Sequence, residues 1–320
     1  MVNERIKTTL SFCGRLGLSV VLLVWLFSKI DLKHMVEALK GADFLWIFGA
    51  FIVFVFTIII ILWRWRLLMK TIGLKATRFE AVRWFFIGQF CNLFLPTSVG
   101  GDVVKGLGLA KEIGNKPKVF ASIVLDRLSG FCGIVLTGLL AFSFGGSLVN
   151  DRMVVLAIIA MTAVSVTIAV IFFSGRIFTA ICKIFTPLPK FKQGLLDLHD
   201  DLLLLRGQWL KGVESIALSM FAQVVLAFAF YLTAVGMHQD INIIYFIIFS
   251  PIVCVATSLP SIGGLGVREL GWVYLLSKIG VHEGVALGLS LVSFAFMVII
   301  GIFGGILYVT TLSHRRVQSS

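Results

Sequence analysis

The sequence is poor in charged residues, and it has few cysteines, prolines and histidines. Charged side chains make up 14% of the 320 residues, apolar ones make up 58%, and the mean hydropathy is +1.01. Soluble domains are about half apolar and a quarter charged, so this composition is typical of an integral membrane protein. So little polar sequence remains that we expect no extramembrane catalytic domain within these residues.

Signatures of metal sites and of nucleotide chemistry are also missing. The five cysteines are odd in number and widely spaced, and no C-x-x-C pair occurs, which argues against a disulfide framework or a zinc site. The sequence contains no G-x-x-x-x-G-K-[ST] loop, no H-E-x-x-H pair and no G-x-S-x-G elbow. We therefore expect no metal, no cofactor and no ATP-driven step in this chain.

Long apolar runs are what the sequence does have. Each is long enough to cross about 30 Å of hydrocarbon, and together they predict an all-α polytopic fold in one integral membrane domain over 1–320. The segment 175–211 has an amphipathic, acidic pattern and is predicted to be a cytoplasmic connector. The predicted full spans are 10–28, 44–63, 119–144, 153–173, 213–235 and 284–312.

The net charge of +12 is explained by the predicted loops. Nineteen basic residues fall in loops or termini on one predicted face, and five fall on the other. Cytoplasmic loops of membrane proteins carry such an excess of Lys and Arg. The distribution predicts a multi-pass protein of the cytoplasmic (inner) membrane with both termini cytoplasmic, and it gives no reason to expect a nucleic-acid partner.

Two further apolar segments, 84–110 and 244–277, are interrupted by glycine-rich breaks, NLFLPTSVGGDVVKGLGL and SLPSIGGLGVRELGW. The loop charges place both ends of the first segment on the cytoplasmic face and both ends of the second on the outer face. We interpret both as re-entrant hairpins. The alternative is two ordinary spans kinked at proline, which would reverse the loops that follow and weaken the charge bias.

With hairpins, the chain contains two repeats of opposite orientation, 44–144 and 213–312. Their breaks align as LPTSVGG and LPSIGG, and a basic residue follows each, Lys105 and Arg268. Inverted repeats with broken helices are typical of secondary transporters, whose substrate site lies near the membrane midplane.

Several charged residues have no aqueous location in this topology, although a charge inside a membrane costs at least about 2.5–3.5 kcal/mol on insertion scales. We expect Asp102 and Lys105, at i and i+3, to pair on one helix face. The adjacent residues of Asp126/Arg127 and of Arg268/Glu269 point in different directions, so their partners are expected elsewhere. Asp102 could also be an N-cap or first-turn acid where Gly100 and Gly101 lead into a new half-helix, a role that does not exclude function. The full set is Arg15, Asp102, Lys105, Asp126, Arg127, Arg268 and Glu269.

The motifs N-x-x-x-P-x-x-x-GGD-x-x-K from Asn92, S-x-x-x-DR from Ser122 and LPS-x-GG-x-G-x-RE from Leu259 resemble the lysylphosphatidylglycerol synthase transmembrane-region family. This is the flippase-like domain also found in the bacterial multiple peptide resistance factor. The resemblance covers about residues 10–312 and implies a domain that moves a lipid between leaflets. Lys105 stands where the family often has Arg, and the family's soluble aminoacyl-transfer domain is not expected here.

The resemblance and the charges predict a lipid translocator for an aminoacyl-phospholipid or a polyprenyl-phosphate-linked glycan. Arg268, Arg127 and Lys105 would hold the phosphate, and Asp102, Asp126 and Glu269 would balance charge or bind a cationic headgroup or a proton. The other candidate binding residues are Asn92, Gly100, Gly101, Ser261, Gly263 and Gly264.

Two other functions remain open at this stage. The first is a membrane-embedded transferase on a lipid-linked substrate, with Asp126 or Glu269 as general base. The second is a scaffold for a lipid-modifying enzyme. An oligomer is compatible with all three functions.

Overall fold

The computed structural model describes residues 32–95, 99–146, 151–183, 207–258 and 264–318, and every regular element in these ranges is an α-helix. The predicted all-α class is therefore confirmed for the described residues. The helices are α1 (Leu32–Lys40), α2 (Phe44–Thr71), α3 (Arg78–Phe94), α4 (Gly100–Ile113), α5 (Lys116–Gly145), α6 (Arg152–Phe173), α7 (Gly175–Lys183), α8 (Trp209–Gly236), α9 (Ile243–Ala256), α10 (Val267–Ser277) and α11 (Glu283–Gln318).

Four of these helices, α2, α5, α8 and α11, are long and apolar enough to cross a membrane, and they contain four of the predicted spans. Shorter apolar segments lie in α6, at Arg152–Ile168, and in α9. The chain is therefore a multi-pass α-helical membrane protein. The span predicted at 10–28 lies outside the described residues, as does the connector predicted at 175–211 between its described ends.

Helix α2 extends to Thr71, beyond the end predicted at residue 63. Arg64 and Trp65, which follow that predicted end, are both buried in the helix bundle. The predicted end is wrong because both side chains donate to partners inside the protein, so the helix continues past the end of the apolar run.

Helices α3 and α4 form an antiparallel hairpin, called hairpin one. Arg83 Nη2 pairs with Glu112 Oε2 at its open end, and the Asn92 side chain accepts from the Gly101 N–H at its closed end. A single continuous helix through 84–110 would hold these residues apart, so the chain turns back between Phe94 and Gly100.

Helices α9 and α10 also run antiparallel and form hairpin two. A Cβ on Gly264 would lie 3.3 Å from Thr257, and one on Gly271 would lie 3.2 Å from Val253. The later position on one arm, 271, thus contacts the earlier position on the other, 253, as antiparallel arms require. The predicted segment 244–277 matches these two helices closely.

The two hairpins open at opposite ends of α5. Hairpin one joins the start of α5 through Gly114 and Asn115, whose side chain caps that helix by accepting from the Lys118 N–H. Ile244, at the start of hairpin two, packs against Gly145 at the other end of α5. At that same end, Lys278 Nζ lies 3.1 Å from Asp151 Oδ2.

Each hairpin packs against a long helix from the other half of the chain. Helix α3 lies against α11, α9 lies against α5, and α2 lies against α8. The first contact is close because α11 presents glycines: a Cβ on Gly304 would lie 2.0 Å from the Phe86 carbonyl oxygen, and one on Gly301 would lie 2.2 Å from Leu93. Small residues permit such close approach between helices in membranes.

Candidate functional site

A cavity of about 280 Å³ lies among α2, α3, α4, α5, α8 and the end of α9. Thr57, Gly130 and Gln223 line it, and each stands near the middle of its long helix. Asn92 and Thr257, near the closed ends of the two hairpins, line it as well. The cavity therefore lies halfway along the bundle, where the two hairpins approach one another.

Five charged side chains line this cavity, and four of them are buried. Asp102 is central, because Lys105 Nζ lies 3.2 Å from its Oδ1 and Arg127 Nε donates to its Oδ2 over 2.5 Å. The pairing predicted for Asp102 and Lys105 is confirmed. These three residues carry a net charge of +1, and we call them the Asp102 cluster.

The position of Asp102 follows from the start of α4. Gly100 and Gly101 are the first residues of this helix, and Asp102 lies in its first turn, where the positive end of the helix dipole stabilises a carboxylate. Gly101 also touches hairpin one's other arm, since a Cβ there would lie 2.2 Å from the Gly88 carbonyl oxygen. A side chain at this position would separate the two arms.

Lys105 is held by aromatic rings as well as by Asp102. Its Nζ lies 4.1 Å from the centre of the Trp65 ring and 5.7 Å from that of Phe85. Desolvated cation–π contacts of this kind are worth about 2 kcal/mol. Arg127 differs, because 38% of its side chain is exposed, so a ligand in the cavity would meet Arg127 more readily than Lys105.

Arg64 forms the second ion pair of the cavity and is the main functional candidate that the sequence analysis missed. Its Nε donates to Asp126 Oδ1 and its Nη1 donates to Ser219 Oγ, each over 2.8 Å. Asp126 and Arg127 thus find separate partners, as predicted. The signal that could have found Arg64 is its spacing from Thr57, seven residues earlier, which places both on one face of α2.

Arg268 and Glu269 pair with each other, so the expectation that adjacent charges find partners elsewhere is wrong for them. Arg268 Nη2 lies 2.5 Å from Glu269 Oε1, and both side chains are buried. The pairing is possible because the second oxygen of Glu269 is fixed by the Gly266 N–H over 2.7 Å. Gly266 has φ +84°, a backbone conformation that favours glycine.

Further contacts hold the Arg268 guanidinium against α11. Its centre lies 4.9 Å from the ring of Phe294, its Nη1 lies 3.3 Å from Met297 Sδ, and Ser290 Oγ donates to Glu269 Oε1. The pair is neutral and ties hairpin two to α11. Arg268 therefore has less capacity to hold a phosphate than the sequence analysis assigned to it.

A second cavity, of about 380 Å³, adjoins the first. Arg127, Asn92 and Gln89 line both cavities, so the two meet at these side chains. Most other residues that line the second cavity are apolar, including Phe54, Ile58, Leu93, Phe230, Trp272, Met297 and Ile300. Trp272 brings a buried indole N–H that has no hydrogen-bond acceptor within the described part of the chain.

The structure thus groups most of the predicted site residues around two joined cavities. Those at the first cavity are Asn92, Asp102, Lys105, Asp126 and Arg127, with Gly100 and Gly101 at the start of α4, and those at the second are Gly264 and Arg268. Glu269 lies behind Arg268, and Ser261 and Gly263 lie outside the described residues. Across the described ranges, no three His, Cys, Asp or Glu side chains come together as a metal site would require.

Comparisons with known proteins agree that the chain is a membrane protein. A 156-residue segment is 26% identical to the UPF0104 membrane protein PH1989 of Pyrococcus horikoshii, covering 48% of this chain and 45% of that relative. The match therefore spans less than half the length of the curated relative. No solved structure matches the chain. Residues 12–305 match the family described as the lysylphosphatidylglycerol synthase TM region, and the chain belongs to this family.

Proposed function

We propose that the chain moves a phosphate-bearing lipid from one leaflet of the membrane to the other. The observation that carries the proposal is the Asp102 cluster, a net positive group facing a cavity halfway along the spanning helices. An uncompensated charge at that depth is costly. An anionic headgroup bound beside Arg127 would supply the missing negative charge.

The second cavity supports a lipid rather than a small anion. It is mostly apolar and opens from the charged cavity at Arg127 and Asn92. A molecule with a phosphate at one end and hydrocarbon at the other would place its headgroup against the Asp102 cluster and the start of its chains among Phe54, Phe230 and Ile300. A small anion would leave this apolar volume unfilled.

The packing of each hairpin against the other half of the chain supports movement by alternating access. Residues 44–144 and 213–312 act in this proposal as inverted repeats, and each hairpin packs against the last helix of the other repeat. Rocking one repeat against the other would open the cavity first at one membrane face and then at the opposite one. Asn92 and Thr257, on different hairpins, would stay beside the headgroup throughout.

The same proposal treats both hairpins as re-entrant, with the termini in the cytoplasm. Cysteines can be placed at Lys75 and Lys116, which flank hairpin one, and at Asp240 and Glu283, which flank hairpin two; all four positions are exposed. In a cysteine-free background, an impermeant maleimide should label the first two from the cytoplasmic face and the last two from the outer face. Labelling of Lys75→Cys and Lys116→Cys from different faces would overturn this topology.

Transport can be tested with purified protein in phosphatidylcholine vesicles that contain labelled phosphatidylglycerol or a labelled polyprenyl phosphate. Dithionite added outside reduces only the label that reaches the outer leaflet. We expect movement with the wild-type chain and with Lys111→Met, a variant at an exposed position of α4. Arg127→Gln, which alters the ligand-facing cation, should slow it by about tenfold or more.

The experiment also separates transport from lipid chemistry. Thin-layer chromatography of the same vesicles, incubated with labelled aminoacyl and sugar donors, would show a new lipid if the chain were a transferase. Absence of lipid movement, with and without an imposed pH gradient, together with such a product would replace the translocator by the transferase.

A further inference from the structure

We propose that the cavity selects lipids with a net anionic headgroup and rejects those made cationic by aminoacylation. This inference rests on the proposed function and names the class of lipid that the same site accepts. The class has a phosphate whose negative charge is not masked and whose remaining substituents are neutral and hydroxyl-bearing, such as glycerol or a sugar.

The first argument is that each carboxylate near the cavities already faces a cation. Both oxygens of Asp102 are engaged, one by Lys105 and one by Arg127. Asp126 accepts from Arg64. Glu269, which lies behind the second cavity, is paired with Arg268. An ammonium group brought into the cavity would therefore meet carboxylates whose charge is already balanced by a cation.

The second argument is that the excess charge of the lining is positive. Three cations and two carboxylates line the first cavity, and Arg268 with its partner Glu269 adds no net charge at the second. The residues between the arms of each hairpin, 96–98 and 259–263, include no acidic side chain in the sequence. Among the described residues that line the two cavities, and in these two segments, every carboxylate already faces a cation.

The third argument concerns the uncharged polar side chains of the cavity wall, which stand among apolar ones. Amide and hydroxyl side chains reach it from α2, α3, α8 and the end of α9. They can donate to or accept from hydroxyl groups without a requirement for charge. These residues are Thr57, Gln89, Asn92, Gln223, Thr257 and Ser258.

The test uses two lipids that share acyl chains, phosphate and glycerol and differ only by a lysyl ester. Phosphatidylglycerol and lysylphosphatidylglycerol, each with the same acyl-chain label, are placed as trace components in phosphatidylcholine vesicles with the wild-type chain. The lysyl group changes the headgroup charge from −1 to +1. We expect phosphatidylglycerol to move at least about tenfold faster, because each unit charge near the Asp102 cluster acts in a medium of low dielectric constant.

Removing a cation should reduce the discrimination. In Lys105→Met the cluster becomes neutral, so the ratio of the two rates should fall to within about threefold, with lysylphosphatidylglycerol moving faster than in the wild type. A misfolded variant would instead lose both rates, and Arg127→Gln provides a second chain with the same change of charge. Lys111→Met removes an equal charge away from the cavity and should keep the wild-type ratio.

The outcomes separate this inference from the proposed function. If lysylphosphatidylglycerol moves as fast as phosphatidylglycerol or faster in the wild-type chain, the selectivity is wrong and the translocator stands. A ratio that survives in both Lys105→Met and Arg127→Gln also overturns the inference, since the cluster would not be its source. If neither lipid moves, with or without a pH gradient, the proposed function itself fails.

Discussion

Arg64 and Asp126 form a buried ion pair, with Nε and Oδ1 2.8 Å apart, although 62 residues separate them in the chain. Removing one partner leaves the other charge uncompensated in a medium of low dielectric constant. Such a loss typically costs about 3–5 kcal/mol, whereas replacing both partners by apolar residues costs much less.

We therefore predict that Arg64→Met and Asp126→Leu each destabilise the protein strongly and that the double variant costs less than the sum of the two single changes. Thermal unfolding in detergent, followed by intrinsic fluorescence, gives the stability of the wild type and of the three variants. Additive losses would contradict a direct pair. Lys211→Gln, which removes a cation from an exposed pair with Glu214, should change stability by less than about 1 kcal/mol.

The contact between α3 and α11 predicts a steep dependence on side-chain size. A methyl group at Gly304 would clash with the Phe86 carbonyl, and backbone cannot move aside as a side chain can. Gly304→Ala should lower the melting temperature by several degrees, corresponding to an overpacking cost of about 1–3 kcal/mol. Gly49→Ala has nothing within 4 Å of the added carbon and serves as the control that should leave stability unchanged or slightly raised.

The neutral pair of Arg268 and Glu269 predicts a rescue. Either Arg268→Gln or Glu269→Gln alone should impair both stability and lipid movement, because the remaining charge is buried without its partner. The double variant should recover a substantial part of both, since it restores neutrality and keeps donors and acceptors in place. Recovery of stability without recovery of transport would show instead that Arg268 contacts the lipid.

A pH dependence is expected at the end of the bundle where hairpin two opens. The hydrogen bond from Lys278 lowers the pKa of Asp151, with help from the N–H groups of Met153 and Val154. The same hydrogen bond to Asp151 raises the pKa of Lys278. A lowered carboxyl pKa contributes stability above the carboxyl's ordinary pKa, and that contribution is lost as pH falls through the folded value. The raised ammonium pKa contributes stability that is lost as pH rises through its folded value.

Melting curves of the wild type and of Lys278→Met over a range of pH test this link. The gap between the two should be largest near neutral pH and should shrink at both extremes. High salt should also shrink it, because the pair is partly exposed to solvent and therefore screened. A gap that grows as the pH falls would contradict the link.

The long apolar helices could be predicted from the sequence because hydropathy is a local property. Helix boundaries are harder to predict from the sequence, as α2 shows. The apolar run ends at residue 63, but the helix continues to Thr71 because Arg64 finds Asp126 and Ser219 inside the bundle. No local pattern reports a partner that lies 62 or 155 residues away.

At the site, too, one ion pair could be predicted from the sequence and another could not. The pairing of Asp102 with Lys105 follows from helical spacing and was predicted. The pairing of Arg268 with Glu269 was not, because adjacent helical positions point apart. The long arginine side chain nevertheless reaches back to a carboxylate that the Gly266 N–H has already fixed. Side-chain length and a neighbouring backbone donor decided the geometry there.

The packing of each hairpin against a helix from the other half of the chain also constrains the order in which the bundle can assemble. Helix α3 packs against α11, which is synthesised later, and Arg64 of α2 donates to Ser219 of α8. When α2 to α5 enter the bilayer, the helix that will cover α3 does not yet exist, and neither does the hydroxyl that completes the Arg64 contacts. The early helices therefore lack some of their contacts while they are in the bilayer. The bundle reaches its final packing only after α11 has been synthesised.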